Sequence, residues 1–390
     1  MLAGVAVALW SIGEERRLGR VVASLVRTRT GLSITVGAAS ATSEGLTLHD
    51  VRFPAAPGLP LDLQAQRVEV SGGWLPLVTP RAGPVSIRAV AAGFTAAFGE
   101  GRTPAMSEVL DGLRAFLGPL LAWPGRLAFR MEGAEVWFGG RPWVADVSAD
   151  KNGARLGLVA AFAPADDEGG IAAGATGRGV VIQAVGRGAP DTGFEVSRFA
   201  IQAGPDVHLQ GTAALRWRGG GPGLSAEAEG RVAGGRLVGR AAWADDGLVI
   251  DATLSGVDLA ALGARLGLAV PAPLEARHVR VRWEGTSRHA RARVDASGVT
   301  SGAGSDIALD ASLDAAVRGG WPLPPASVET AQVTVRRGFR TLLRATLASR
   351  HAATLWPLDV RGTVEDPAAL AALGPVPATA TGTVTVTAEV

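Results

Sequence analysis

The chain has 390 residues, with 38 Lys and Arg against 36 Asp and Glu, and therefore a net charge of only +2. That balance gives no broad basic field, which removes the main support for a nucleic-acid-binding reading. Cysteine is absent, so disulfides, thiolate metal sites and a cysteine nucleophile are excluded.

Apolar residues make up 47% of the chain and aromatics only 5%, with 53 Gly, 23 Pro and no Tyr. This is the composition of a chain with many tight turns and a substantial buried surface. Lys151 is the only lysine and Asn152 the only asparagine. The near-total use of Arg reads as the mark of a GC-rich genome and not of a binding surface.

Met1–Gly13 is apolar apart from Ser11. It is shorter than the about 20 residues a spanning helix needs, and no basic residue precedes it as in a signal peptide. Residues 1–13 are expected to be a partial membrane anchor or signal remnant; the alternative is an apolar cap on the first helix. Glu14–Thr30 has Leu18, Val21, Val22, Leu25 and Val26 on one helical stripe. Glu14 and Glu15 stand at the end where the helix dipole favours acids, and Arg27 and Arg29 at the other.

From Gly31 to Ala92 the pattern is that of short strands. Leu61, Leu63 and Ala65 alternate with Asp62 and Gln64, and Val68 and Val70 follow out of phase, which predicts a bulge. Pro54, Pro57, Gly58 and Pro60 form a loop. Residues 104–124 hold a second amphipathic helix, striped by Met106, Val109, Leu110, Leu113, Leu117 and Leu121, with Pro119 in its last turn. The plain reading is a plug for a β core; the sharper one is a flap over a groove.

Residues 125–255 read as a β-meander with a strand about every ten residues. In it Leu215 and Trp217 oppose Arg216 and Arg218, and Ile250, Ala252 and Leu254 oppose Asp251 and Thr253. Residues 256–362 form a helix-plus-strands repeat, in which Val279, Val281 and Trp283 oppose Arg280 and Arg282. The segment "GVDLAALGARLGLAVPAPLEARHVRVRWEG" returns in outline as "TVEDPAALAALGPVPATATGTVTVTAEV", so residues 363–390 begin the next repeat. The chain is expected to be a fragment of a longer protein.

Several of these pieces come in a familiar order. An amphipathic helix is followed by a short strand at Ile34–Gly37, then "GLTLHDVRF" (Gly45–Phe53), a proline loop, "LQAQRVEVSGGWLPL" (Leu63–Leu77) and "VSIRAV" (Val85–Val90). In this, residues 14–103 resemble the amino-terminal module of the AsmA-like family, the AsmA/TamB/YhdP type of repeating β-groove protein, whose architecture is shared with chorein-type bridge proteins. The module is about a fifth of the chain, and a looser repeat pattern covers most of the remainder. The resemblance implies a mainly β protein, an elongated antiparallel β-meander forming a curved groove with a few short amphipathic helices. It further implies a periplasmic protein anchored to the inner membrane, with lipid transport between membranes or outer-membrane biogenesis as its function. Its partners would be phospholipid or another acyl lipid, the membrane, and outer-membrane assembly proteins.

Catalytic signatures are missing. There is no nucleophile elbow, H-E-x-x-H helix or phosphate-binding loop. The five histidines are scattered; His278 and His289 fall on the two arms of one expected hairpin, without a third ligand. Asp166, Asp167 and Glu168 read as a loop with a weak calcium-site possibility, and Glu227 and Glu229 as a solvated strand face. The expectation is a non-enzymatic protein with no cofactor, no metal and no nucleic-acid partner. An apolar sheet face must be buried against a second sheet, helices or lipid, and the predicted helices are too few to cover this one. The groove candidates are Leu215, Trp217, Ile250, Leu254, Val281 and Trp283. The rival reading is an assembly scaffold for outer-membrane proteins with the same sheet closed over a dry core. An outer-membrane barrel is disfavoured because its aromatic girdles are absent.

Overall fold

A computed structural model describes residues 15–30, 33–41, 45–54, 61–72, 85–96, 106–123, 125–138, 141–165, 179–217, 223–244, 247–265, 274–286, 289–301, 309–319, 326–349, 358–365 and 386–387. Met1–Gly13, the Asp166–Glu168 loop and most of residues 363–390, where the next repeat is expected to begin, lie outside the described residues.

Period-two alternation runs through most of the chain, and it folds as a mainly β, mostly antiparallel meander with a few short helices. Two compact units divide it, Met1–Pro205 with Thr212–Gly223 and Asp206–Gly211 with Leu224–Val390. The division falls inside the stretch 125–255 that reads as one meander in sequence.

In the first unit α1 (Glu15–Thr30) precedes β1 (Thr35–Ala41), β2 (Gly45–Phe53), β3 (Leu61–Ser71) and β4 (Val85–Ala96). Helix α2 (Met106–Ala122) follows, then β5 (Leu127–Phe138), β6 (Arg141–Asn152), β7 (Arg155–Pro164), β8 (Val180–Ala189) and β9 (Gly193–Ala203). Strand β10 (Val207–Arg216) gives residues 207–211 to the second unit and 212–216 to the first. The second unit continues with β11 (Leu224–Val232), β12 (Gly235–Ala244), β13 (Gly247–Asp258), α3 (Leu259–Arg265), β14 (Leu274–Gly285) and β15 (His289–Ser301). It ends with β16 (Leu309–Gly319), β17 (Ala326–Arg337), β18 (Arg340–Ser349), β19 (Leu358–Val364) and β20 (Val386–Thr387).

Successive strands from β1 to β9 and from β11 to β20 pair antiparallel with one departure: β4 and β5 run parallel, with Val85 opposite Leu127 and Ile87 opposite Phe129. Parallel neighbours need a long crossover instead of a hairpin, and the connection containing α2 supplies it. Strand β6 is not among the strands the periodicity predicts. Its alternation is blurred where Val144 shares the phase of Asp146, Ser148 and Asp150, and where Lys151, in the phase of Trp143, Ala145 and Val147, is buried at 2% exposure. Asp146 accepts the Gly133 amide at 2.7 Å.

The bulge expected near Ala65–Val68 is not there: β3 keeps one register with β2 and with β4. The phase slip belongs instead to a crease crossing several strands at one level. Asp50 in β2 has φ 50 and Gly133 in β5 has φ 62, and the register shift lies between Met131 and Ala134, opposite β6. The second unit repeats the device. Gly298 has φ 64, its amide donates to Asp310 Oδ1 at 3.2 Å, and β15 shifts register against β16 between Ala296 and Val299. In both units the residue after the glycine faces the residue before the aspartate. Ala134 meets Ala145, both 0% exposed, and Val299 at 7% meets Leu309 at 1%.

Each unit places a helix beside its core. Leu18 and Val22 of α1 pack on the cluster of Ala39, Leu46, Leu48, Val70 and Val85, and Gly19 lets the helix approach the β1 backbone at Val36 and Ala38. Helix α2 crosses the strand ends of the first unit. Leu110 fills the space a side chain at Gly223 would need, and Leu121 does the same at Gly188. At its carboxyl end the Lys151 ammonium donates to the Trp123 carbonyl oxygen, pairing a backbone group that the helix itself leaves open. Burial holds the Lys151 pKa below its ordinary value.

Candidate functional site

The register of the second unit builds a two-sided sheet. On one face, directly opposed residues form apolar rows across the strands. One row runs Leu237, Leu254, Val279, Ala296, Ala311, Val335, Leu343 and Val364. The next runs Gly239, Ala252, Val281, Val294, Leu313, Val333, Ala345 and Gly362, and a third runs Ala241, Ile250, Trp283, Ala292, Ala315, Ala331 and Leu347. No charged residue interrupts these rows.

The other face is ionic. The Arg280 guanidinium donates to both carboxylate oxygens of Asp251, at 3.2 and 3.1 Å, and Arg240 lies 3.6 Å from the same carboxylate. Arg291 pairs with Asp314 in the same two-pronged way, at 2.9 and 2.5 Å, and Arg293 with Asp295 at 2.9 Å. The hydrogen bond from Arg280 holds the Asp251 carboxyl below the usual carboxylate range, and that from Arg291 does the same for Asp314. These pairs are exposed, so they fix the polarity of the face more than they stabilise it.

Burial along the apolar face is uneven. At one end Asp258 caps α3, its Oδ1 accepting the amides of Ala260 and Ala261 at 2.8 and 3.0 Å. Leu259, Ala261 and Leu262 then pack on a cluster of Leu254, Val257, Ala276, Val279, Leu309 and Leu342. Leu254 is 6% exposed and Leu342 0%. Farther along the same strands Ile250, Ala252, Val281 and Trp283 are half-buried.

The six groove candidates therefore divide. Ile250 and Trp283 are directly opposed, with Val281 opposite Ala252 between them and the α3 end; these three share one half-buried area. Leu254 is on the same face but inside the dry cluster under α3. Leu215 and Trp217 are half-buried in the first unit, where the Trp217 amide donates to the Thr192 carbonyl at 3.3 Å and its indole Nε1 is buried without a partner. Alternation places Ala292 on one face of its strand, but the row of Ala292, Ala315 and Ala331 that continues from Trp283 appears only with the register; its signal is three small residues at matching phases of successive strands.

His278 and His289 do not meet. His278 faces Ser297 and lies 3.2 Å from the Ser255 hydroxyl, whereas His289 faces Arg318. Glu227 and Glu229 are exposed, and Glu229 lies 3.6 Å from Arg236. Among the described residues no group of three His, Asp or Glu could hold a metal ion, and no helix is long and apolar enough to cross a membrane. Compared with known proteins, the chain matches no family model, no curated protein and no solved structure.

Proposed function

We propose that this protein is a non-enzymatic, AsmA-like lipid carrier of the bacterial envelope, anchored to the inner membrane and facing the periplasm, whose apolar sheet face holds acyl chains. One observation carries the reading: three uncharged rows extend across the strands from β12 to β18, with Ile250, Val281 and Trp283 half-buried on them while the reverse face is ionic. An apolar area of that continuity calls for an apolar occupant, and an acyl chain needs no hydrogen-bond partner from its walls. The order of α1 and β1 to β4 supports the family assignment.

The dry cluster around Leu254 and Leu342 favours a second reading, the closed scaffold, for the end beneath α3. Organic extraction of the purified, detergent-free protein followed by mass spectrometry separates the two. Co-purifying phospholipid that is lost in Val281→Asp, with the unfolding transition retained, is the expected result. Protein free of lipid, and unable to take up a fluorescent phospholipid, would overturn the carrier reading.

A further inference from the structure

The hairpin joining β17 to β18 turns in two residues, Gly338 and Phe339, between the paired Arg337 and Arg340. Gly338 has φ 58, the left-handed conformation that tight hairpins require and glycine supplies without strain. Phe339 has no such explanation, since turn tips favour polar residues. It is 110% exposed, whereas the next most exposed large apolar side chain among the described residues is Val21 at 54%.

Its surroundings are basic. Arg336, Arg337 and Arg340 are exposed, and the sequence has no acidic residue between Glu329 and Asp359. Two acids approach from neighbouring strands. Asp310 is opposite Arg336 but accepts the Gly298 amide, and Glu365 follows β19, its amide donating to the Leu342 carbonyl. A single ring ringed by guanidiniums lacks the apolar neighbours that form the centre of a protein–protein interface. It has what a lipid surface selects, an apolar ring to bury at the boundary of headgroups and acyl chains and guanidiniums for the phosphates.

We propose that the Phe339 hairpin tip is a membrane-docking element that inserts into an anionic lipid surface. It is independent of what the apolar sheet face carries, because a protein without cargo would still dock.

The test uses the whole chain with vesicles of phosphatidylcholine containing about one-third phosphatidylglycerol, a composition that gives a negative surface potential. Phe339→Ser is expected to weaken vesicle binding about tenfold or more, from the loss of the buried ring. Arg336→Gln and Arg337→Gln should each cost about fivefold, from the loss of one charge near the surface. Both effects should vanish on pure phosphatidylcholine. The chain has no cysteine, so Phe339→Cys accepts a polarity-sensitive fluorophore at one place only. Its emission should shift to the blue with anionic vesicles and return with high salt. No shift with anionic vesicles, or unchanged binding in Phe339→Ser, would overturn the proposal. So would a blue shift that grows with protein concentration in the absence of vesicles, which would assign the tip to a second copy of the chain. Because the tip is exposed, an unchanged unfolding midpoint in Phe339→Ser is the control for folding.

Discussion

The helix lying across the strand ends of the first unit, α2, has 17 residues, whereas α3 in the second has 7. In sequence the strands beneath them look alike, apolar on one side and polar on the other. Helix α2 reaches from Gly223 to Gly188 and is fastened by Lys151. Helix α3 packs on the cluster holding Leu254, Val257 and Val279, and the same rows continue beyond it as half-buried Ile250, Val281 and Trp283. Within the second unit, what separates the dry core from the half-buried stretch is where α3 is seated, not the stripe.

Paired substitutions on β13 put the largest effect on that comparison. Leu254→Asp buries an unpaired carboxylate among Val257, Val279 and Leu342 and is expected to cost about 4 kcal/mol or to abolish the unfolding transition. Ile250→Asp, four residues earlier on the same face, is expected to cost about 1 kcal/mol because its carboxylate can keep water. Equal losses in urea midpoint would mean that the face is as well covered at Ile250 as under α3.

The fastening of α2 ranks next. Lys151→Ala removes the donor to the Trp123 carbonyl and leaves a space near the helix end, for an expected loss of about 3 kcal/mol by chemical denaturation. A loss within experimental error would show that α2 is held by Leu110 and Leu121 alone.

The crease offers a smaller contrast between the units. Ala at Gly298 would have to adopt φ 64 and would bring its Cβ within 2.9 Å of Arg277 Cβ. At Gly133 the φ is 62 with nothing within 4 Å. Expected losses are about 2 kcal/mol for Gly298→Ala and about 1 kcal/mol for Gly133→Ala. The reverse order in thermal melts would contradict the packing described for the second unit.

The ionic face should give the smallest effect. Asp251 and Asp314 titrate below the ordinary 3.8 when folded. Their contribution is therefore present above the unfolded value and is lost as pH falls through the folded one. Urea midpoints measured from pH 5 down to about pH 2 should fall less steeply in Arg280→Gln and Arg291→Gln than in the unsubstituted chain.

Legibility followed how local each signal was. Strands β13 and β14 could be read directly, because Asp251, Thr253, Arg280 and Arg282 alternate cleanly with apolar residues and hairpins keep neighbours adjacent. The α1 and α2 stripes were equally plain, and so was a helix within the repeat that begins at residue 256. Strand β6 was hidden because Val144 stands in its polar phase and Lys151, which serves the Trp123 carbonyl, in its apolar phase, and both blur the alternation. The parallel β4–β5 pair depends on where a crossover lands, which no local period encodes. The phase slip after Ala65 was visible, but its spread to Asp50 and Gly133 depends on register between strands. At the candidate site, Ile250 and Leu254 look equivalent in sequence; only the seating of α3 separates them.

The burial of Lys151 has a practical chemical consequence. It is the only lysine in the chain and 2% exposed, so its ε-amine is shielded from acylating reagents while α2 is seated. Apart from the chain's amino terminus, every amine-directed label or crosslinker has this one target. Its rate of acylation thus becomes a clock for the opening of a single helix, readable by mass alone and without any substitution in the protein.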